Sequence, residues 1–255
     1  MDQDRTRVAV VGDSFVVNDF GLGKPRHAVP KNKNILHFFS TDEDVLKAGP
    51  PPMVQGFGAS GLRVRGDPRW HDVTLELADF KPDLVIVFCG GNDFCGIDGA
   101  SLGGVSGEDL FRSCQGKMSE LQLSLPGLPQ IRWALLHPRL PRYWSSDLIE
   151  RWNAEAKAFN SAALEYHRDG KHRSHSGHPH QFVPRRQMCY AVGGSTDFLA
   201  ADGVHPDSSK ASYRRILYVP TKSVFLTFQH TLLHQEAKVT KRRRCQDAKN
   251  AKRRR

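Results

Sequence analysis

Four short clusters hold the side chains of this sequence best suited to covalent chemistry. Gly12-Asp13-Ser14 supplies a hydroxyl, and Gly58-Ala59-Ser60-Gly61 supplies backbone N–H groups on flexible turns. Gly90-Gly91-Asn92-Asp93 supplies a side-chain amide, and Asp202-Gly203-Val204-His205 a carboxylate and an imidazole three residues apart. Together these are the parts of acyl transfer. A hydroxyl too weak to attack alone needs a base, the base needs an orienting group, and the developing oxyanion needs donors. The Asp202-to-His205 spacing lets one turn of chain set the carboxylate on imidazole Nδ1, leaving Nε2 to face a serine brought in by the fold.

Each residue also has an ordinary role. Ser14 suits a helix N-cap, Gly61 a turn with positive φ, Asn92 a hydrogen bond within its own loop, and His205 before Pro206 an extended surface link. Their joint presence favours Ser14 as nucleophile, His205 as general base and Asp202 as its orienter, although a Ser14–His205 dyad would suffice were the base held otherwise. Asp13 reads as a structural hydrogen-bonding partner. Gly21-Leu22-Gly23-Lys24 fails as a phosphate-binding loop, because Asn18 stands where glycine is required and Pro25 where Ser or Thr is.

These clusters must be positioned by the elements that precede them. Arg7 to Gly12, Ile35 to Phe39, Met53 to Phe57, Asp83 to Phe88 and Gln130 to Leu136 are short apolar runs of the kind that form strands buried on both faces. Between them, Arg69 to Phe80, Gly107 to Leu125, Asp147 to His167 and Ser209 to about His234 have helical period, with Asp147 and Glu150 suggesting a capped start. Alternation of strand and helix implies right-handed crossovers and a three-layer α/β/α sandwich. Three of the clusters then lie at carboxyl ends of strands, where open α/β sheets bind ligands.

With those blocks in that order, the chain resembles the SGNH or GDSL-type hydrolases, whose blocks contribute Ser, Gly, Asn and His. Gly12 to Ser14 is similar to the first block, with Phe15 in place of the usual Leu. The family's oxyanion glycine maps to Gly61, with Gly58 as the weaker candidate, its amide donor to Asn92, and its D-x-x-H block to Asp202 through His205. The resemblance implies a flavodoxin-like sheet of five parallel strands, no metal and no organic cofactor. It further implies an ester hydrolase in which Ser14 forms an acyl-enzyme and the amides of Ser14 and Gly61 and the Asn92 side chain hold the oxyanion. Carbohydrate acetyl esters, lysophospholipids and short acyl esters all remain open as substrates.

Of the formal charge of +10, the last twenty residues hold most, with ten Lys/Arg against two acids from Glu236 to Arg255. Residues 1–235 are therefore expected to form the hydrolase-like domain and 236–255 a basic, disordered tail. Its clusters, Lys241 to Arg244 and Lys252 to Arg255, have the form of a nuclear-import signal or a nucleic-acid contact. That supplies an alternative reading, a catalytically weak module of this fold acting on nucleic acid through its tail, by analogy with domains of retroelement origin. The Val8–Val11 run is too short for a signal-peptide core, and the five cysteines show no repeated spacing. An intracellular protein, cytoplasmic or nuclear, with reduced thiols is expected. The histidines at 167, 172, 175, 178 and 180 have no metal-ligand spacing, and the last four fall in a polar stretch, 169–184, expected to be a surface loop.

Overall fold

A computed structural model describes residues 5–23, 29, 31, 33–96, 101–168, 181–182, 199, 201–205, 218, 221–233, 238, 240 and 243. The elements run in the order β1 (Arg7–Gly12), α1 (Ser14–Phe20), α2 (Ile35–Thr41), α3 (Glu43–Ala48), β2 (Met53–Gly58), α4 (Trp70–Phe80) and β3 (Leu84–Phe88). A single 3-10 turn (Gly91–Phe94) is followed by α5 (Gly107–Ser124), β4 (Gln130–Trp133), α6 (Ser146–Arg168) and β5 (Gln181–Phe182). Residues 221–233 are also helical.

The sheet is parallel throughout, with strand order β2-β1-β3-β4-β5. This is the flavodoxin-like order, reversing at β1 so that a crevice opens beyond the carboxyl ends of β1 and β3. Val8 to Val11 and Leu84 to Val87 are fully buried, as strands covered on both faces must be. Period-two alternation shows how the layers form. Phe57 of β2 packs its ring on Phe80 of α4. At Gly56, one residue earlier and so on the opposite face, an added Cβ would fall 2.3 Å from Phe20 of α1. Helices α1 and α4 thus cover opposite faces, and the absence of a side chain at Gly56 lets α1 settle on the sheet.

Each expected helix is present in the described residues, although for Ser209 to His234 only 218 and 221–233 can be compared. The strand expected at Ile35 to Phe39 is instead helix α2. Asn34 caps it by accepting from His37 N at 2.9 Å, the Asp19 carboxylate accepts from Ile35 N at 3.0 Å, and Ile35 and Phe39 bury one face four residues apart. A five-residue apolar run fits a strand or a buried helix equally, and Asn34 is the local signal that decides. The fifth strand lies in the stretch expected to be loop, where Gln181–Phe182 pairs with β4; two residues carry no period to read. Helix α6 starts one residue before Asp147, with Ser145 as its cap: the Ser145 hydroxyl accepts from Leu148 N at 3.3 Å.

Within 169–184 only 181–182 are described, so histidines 172 to 180 lie outside the described residues, as does segment 236–255 apart from 238, 240 and 243. Cys89, Cys95 and Cys114 are buried free thiols. No helix among the described residues is long and apolar enough to cross a membrane.

Candidate active site

Strand β1 ends against β3, and the chain turns at Asp13 directly into α1. The Asp13 carboxylate caps that helix, accepting from Phe15 N at 3.2 Å. Because Asp13 takes the capping role that Ser14 was equally suited to fill, the Ser14 hydroxyl is left for another partner. That partner is His205, whose Nε2 lies 2.8 Å from Ser14 Oγ across a separation of 191 residues. On the other side of the ring, Nδ1 sits 2.6 Å from Asp202 Oδ2.

The Asp202 carboxylate is oriented by its own chain, with Oδ1 accepting from the backbone N–H of Val204 at 2.9 Å and of His205 at 3.0 Å. Burial pushes this carboxyl up, but the bonds from the His205 ring and the two amides outweigh it and hold the group below the ordinary value. Phe15, the departure from the family's first block, is buried with its ring tilted against His205 at 5.6 Å and edge-on to His137 at 4.7 Å. It forms a wall that restricts the imidazole. His137 is a second imidazole close by, but burial pulls it down to about 3, so it is neutral at physiological pH.

Gly203 ties this loop to the segment after β4. Its carbonyl accepts from Leu140 N at 2.7 Å, its φ is +69°, and a Cβ here would fall 1.7 Å from Leu140 O. Gly203→Ala should therefore force the two loops apart. We expect a loss of about 1–3 kcal/mol, read as a thermal midpoint several degrees lower, together with reduced turnover as His205 moves off Ser14.

The remaining predicted residues come from the ends of β2 and β3. Gly61 has φ +71° and lies on the cleft wall, whereas Gly58 is a packing glycine whose Cβ would meet the Gly12 carbonyl at 1.9 Å. The Gly61 turn is held from outside: Arg69 donates to the carbonyls of Ser60 at 2.8 Å and Gly61 at 3.1 Å, and is gripped by both oxygens of Asp67 at 2.8 and 2.6 Å. The Arg69 bonds hold the Asp67 carboxyl at about 2 against the opposing effect of burial. Since the folded value lies below the unfolded one, this contribution is complete above about pH 4 and lost as pH falls toward about 2. An Asp67→Asn variant should be less stable by on the order of 1 kcal/mol at neutral pH, after discounting for the exposed guanidinium, and that gap should close in the acid range. Chemical denaturation at a series of pH values measures it.

Asn92, in the 3-10 turn, donates from Nδ2 to Asp13 Oδ2 at 3.0 Å and to the Leu62 carbonyl at 3.2 Å, while Oδ1 accepts from Arg139 at 3.4 Å. An acceptor on one side and a donor on the other fix which way the amide faces. All five residues implied by the resemblance are thus drawn to one place: Ser14, Gly61, Asn92 and His205 line a single cleft of about 370 Å³, and Asp202 stands behind the imidazole.

A model of GDSL-like lipases and acylhydrolases matches residues 8–214. The chain belongs to that family. By family it is an SGNH-type ester hydrolase, and solved structures with its fold span most of its length. A GDSL-like protein from Parabacteroides merdae superposes with a TM-score of 0.58 at 18% identity, covering 88% of this chain and 98% of its own. A carbohydrate acetylesterase family member from Sinorhizobium meliloti gives 0.57 at 16%, covering 88% and 100%. A psychrotrophic esterase from Pseudoalteromonas gives 0.53 at 11%, covering 86% and 98%. No curated protein matches the chain. Nothing in these comparisons supports the alternative of a nucleic-acid-binding module.

The cleft also contains residues the sequence did not single out: Asn18, Arg63, Cys95, Arg139, Tyr143 and Trp144. Arg63 and Arg139 follow the ends of β2 and β4, so strand-end position was a usable signal. No local pattern marked either one.

Proposed function

We propose that this chain hydrolyses carboxylic esters through an acyl-enzyme on Ser14. The observation that carries the reading is the unbroken line from Asp202 Oδ2 through His205 to Ser14 Oγ, with contacts of 2.6 and 2.8 Å, opening on one cleft. In this scheme Ser14 Oγ attacks the ester carbonyl as His205 Nε2 takes its proton, and the Asp202 carboxylate stabilises the imidazolium that forms. The carbonyl π electrons move onto oxygen, where the backbone amides of Ser14 and Gly61 and the side chain of Asn92 receive them. One Asn92 proton is bonded to the neutral Leu62 carbonyl in the free protein, and an oxyanion competes for it because charge-assisted hydrogen bonds are the stronger kind. Collapse expels the alkoxide, which takes the proton from His205. Water then attacks the acyl carbon with His205 again as base, releasing the carboxylic acid and restoring Ser14.

The size and lining of the cleft favour a short acyl group. Its wall offers serine, asparagine and arginine over much of its extent, and a long alkyl chain would leave those polar groups without water or partners. A fluorophosphonate probe tests the scheme. Labelling of the native protein that disappears in Ser14→Ala supports it, and no labelling, or equal labelling of the two proteins, rules it out.

A further inference from the structure

Two guanidinium groups and an imidazole line the cleft, and no carboxylate does so among the described residues. Arg63 is set in place by its backbone. Its N–H donates to Asp67 Oδ2 at 3.0 Å, and its carbonyl accepts from Trp70 Nε1 at 2.7 Å. The next two amides, of Val64 and Arg65, both donate to the buried Asp93 carboxylate at 2.8 and 2.9 Å. A loop pinned at four successive points holds the Arg63 side chain toward the cleft without a large entropic cost on binding.

The guanidinium itself is little used. Among the described residues it makes one hydrogen bond, to the Gly96 carbonyl at 2.8 Å, of the five N–H donors an arginine carries. The nearby acids are engaged elsewhere: Asp67 with Arg69, and Asp93 with the two backbone amides. Also on the cleft lining, Arg139 is 4% exposed and sits over the Trp152 ring at 4.9 Å. It pairs with the buried Asp13 carboxylate at 3.9 Å and donates to Asn92 Oδ1 at 3.4 Å, while its buried Nε has no hydrogen-bond partner among the described residues. Arg139 is only loosely paired and keeps an unfilled donor, and Arg63 forms no ion pair among the described residues, so the cleft offers cationic donors in a low-dielectric hollow. Such a setting favours an anion far more than the same charges would in water.

We infer that the ester substrate carries an anionic oxygen group, a carboxylate or a phosphate, which Arg63 binds in the cleft with Arg139 adding to the field. This rests on the Ser14 hydrolase reading for its reaction, but the binding part stands on the lining alone. Arginine rather than lysine suits the role, because its planar fork matches two oxygens of a carboxylate or phosphate at once. Tyr143, 70% exposed at the cleft wall, and the buried Trp144 beside it add aromatic surface for the rest of such a molecule.

Matched ester pairs test the inference. On the acyl side these are para-nitrophenyl valerate and para-nitrophenyl hydrogen glutarate. On the alcohol side they are phenyl acetate, para-acetoxybenzoate and para-acetoxyphenyl phosphate, so that the arms separate carboxylate from phosphate. The native protein should favour at least one charged ester over its neutral partner in kcat/KM, and Arg63→Gln should lower that ratio roughly 10- to 100-fold, the value of a charged hydrogen bond. Arg63→Lys should recover part of the loss, and added salt should reduce the preference in the native protein. A ratio near unity for every pair, or one unchanged by Arg63→Gln, would overturn the inference. Calorimetry on Ser14→Ala with para-hydroxybenzoate and phenyl phosphate gives a reading independent of turnover. Binding lost in the Ser14→Ala, Arg63→Gln double variant supports the anion site, and binding that is absent or equal in the two overturns it. Failure to hydrolyse even the neutral esters would count against the Ser14 scheme, with calorimetry still deciding the anion site.

Discussion

Ser14→Ala should lower kcat on a short ester by about 10⁵-fold while leaving the fold and substrate binding close to native. The size follows from the proposed scheme, in which without Oγ there is no atom to receive the acyl group and His205 has nothing to deprotonate. What remains is whatever rate the oxyanion donors support through water. The structural cost is small because Asp13, not Ser14, caps α1, and the lost hydroxyl is bonded to an imidazole that water can reach. That bond is worth on the order of 1 kcal/mol at most. Steady-state kinetics beside a thermal melt checks both halves. A variant that melts like the native protein and keeps more than about a hundredth of its rate would contradict the nucleophile assignment.

Asp202→Asn should be nearly as damaging, with kcat down by about 10⁴-fold. Asp202 presents Oδ2 to His205 Nδ1 at 2.6 Å while Oδ1 is anchored by the amides of Val204 and His205. An asparagine can keep its oxygen on those two amides, and its NH₂ then faces Nδ1. A donor in that position forces Nδ1 to accept, so the ring proton moves to Nε2. An Nε2 that carries a proton cannot take one from Ser14, and the base is lost with its geometry intact. The pH dependence follows from the same contacts. Asp202 is held below the ordinary carboxylate value, so the stability it contributes is present above that value and is lost only as pH falls through the lower folded one. A fall in activity that begins above about pH 4 therefore belongs to another group. In Asp202→Asn, the acid destabilisation of the native protein should be correspondingly smaller.

These two residues differ in how far the sequence reveals their roles. The Asp202–His205 contact is local: three residues of separation and one turn are enough to place it, and the pairing holds whatever surrounds it. The strands that carry the site were also legible, because Val8 to Val11 and Leu84 to Phe88 are continuous apolar runs that water excludes from any other setting. Ile35 to Phe39 was not legible in the same way. Its composition fits a strand, yet the Asn34 cap and the Asp19 carboxylate, which receives Ile35 N from sixteen residues away, draw it into a helix. At Phe15 the family pattern is broken, and only packing shows that the larger ring serves as a wall for His205.

By itself, then, the sequence determined the parts: a hydroxyl, an amide, a glycine turn and a prepaired acid and imidazole, each next to an element able to hold it. The tertiary structure decided how they meet. Ser14 Oγ reaches His205 Nε2 only because a parallel sheet with order β2-β1-β3-β4-β5 brings the end of β1 beside a loop 191 residues later. The same sheet sets Arg63 and Arg139, from two different strand ends, around one cleft. A contact within one turn is governed by local dihedral angles and can be read from spacing. A contact across the sheet depends on strand order and register, which no local pattern contains.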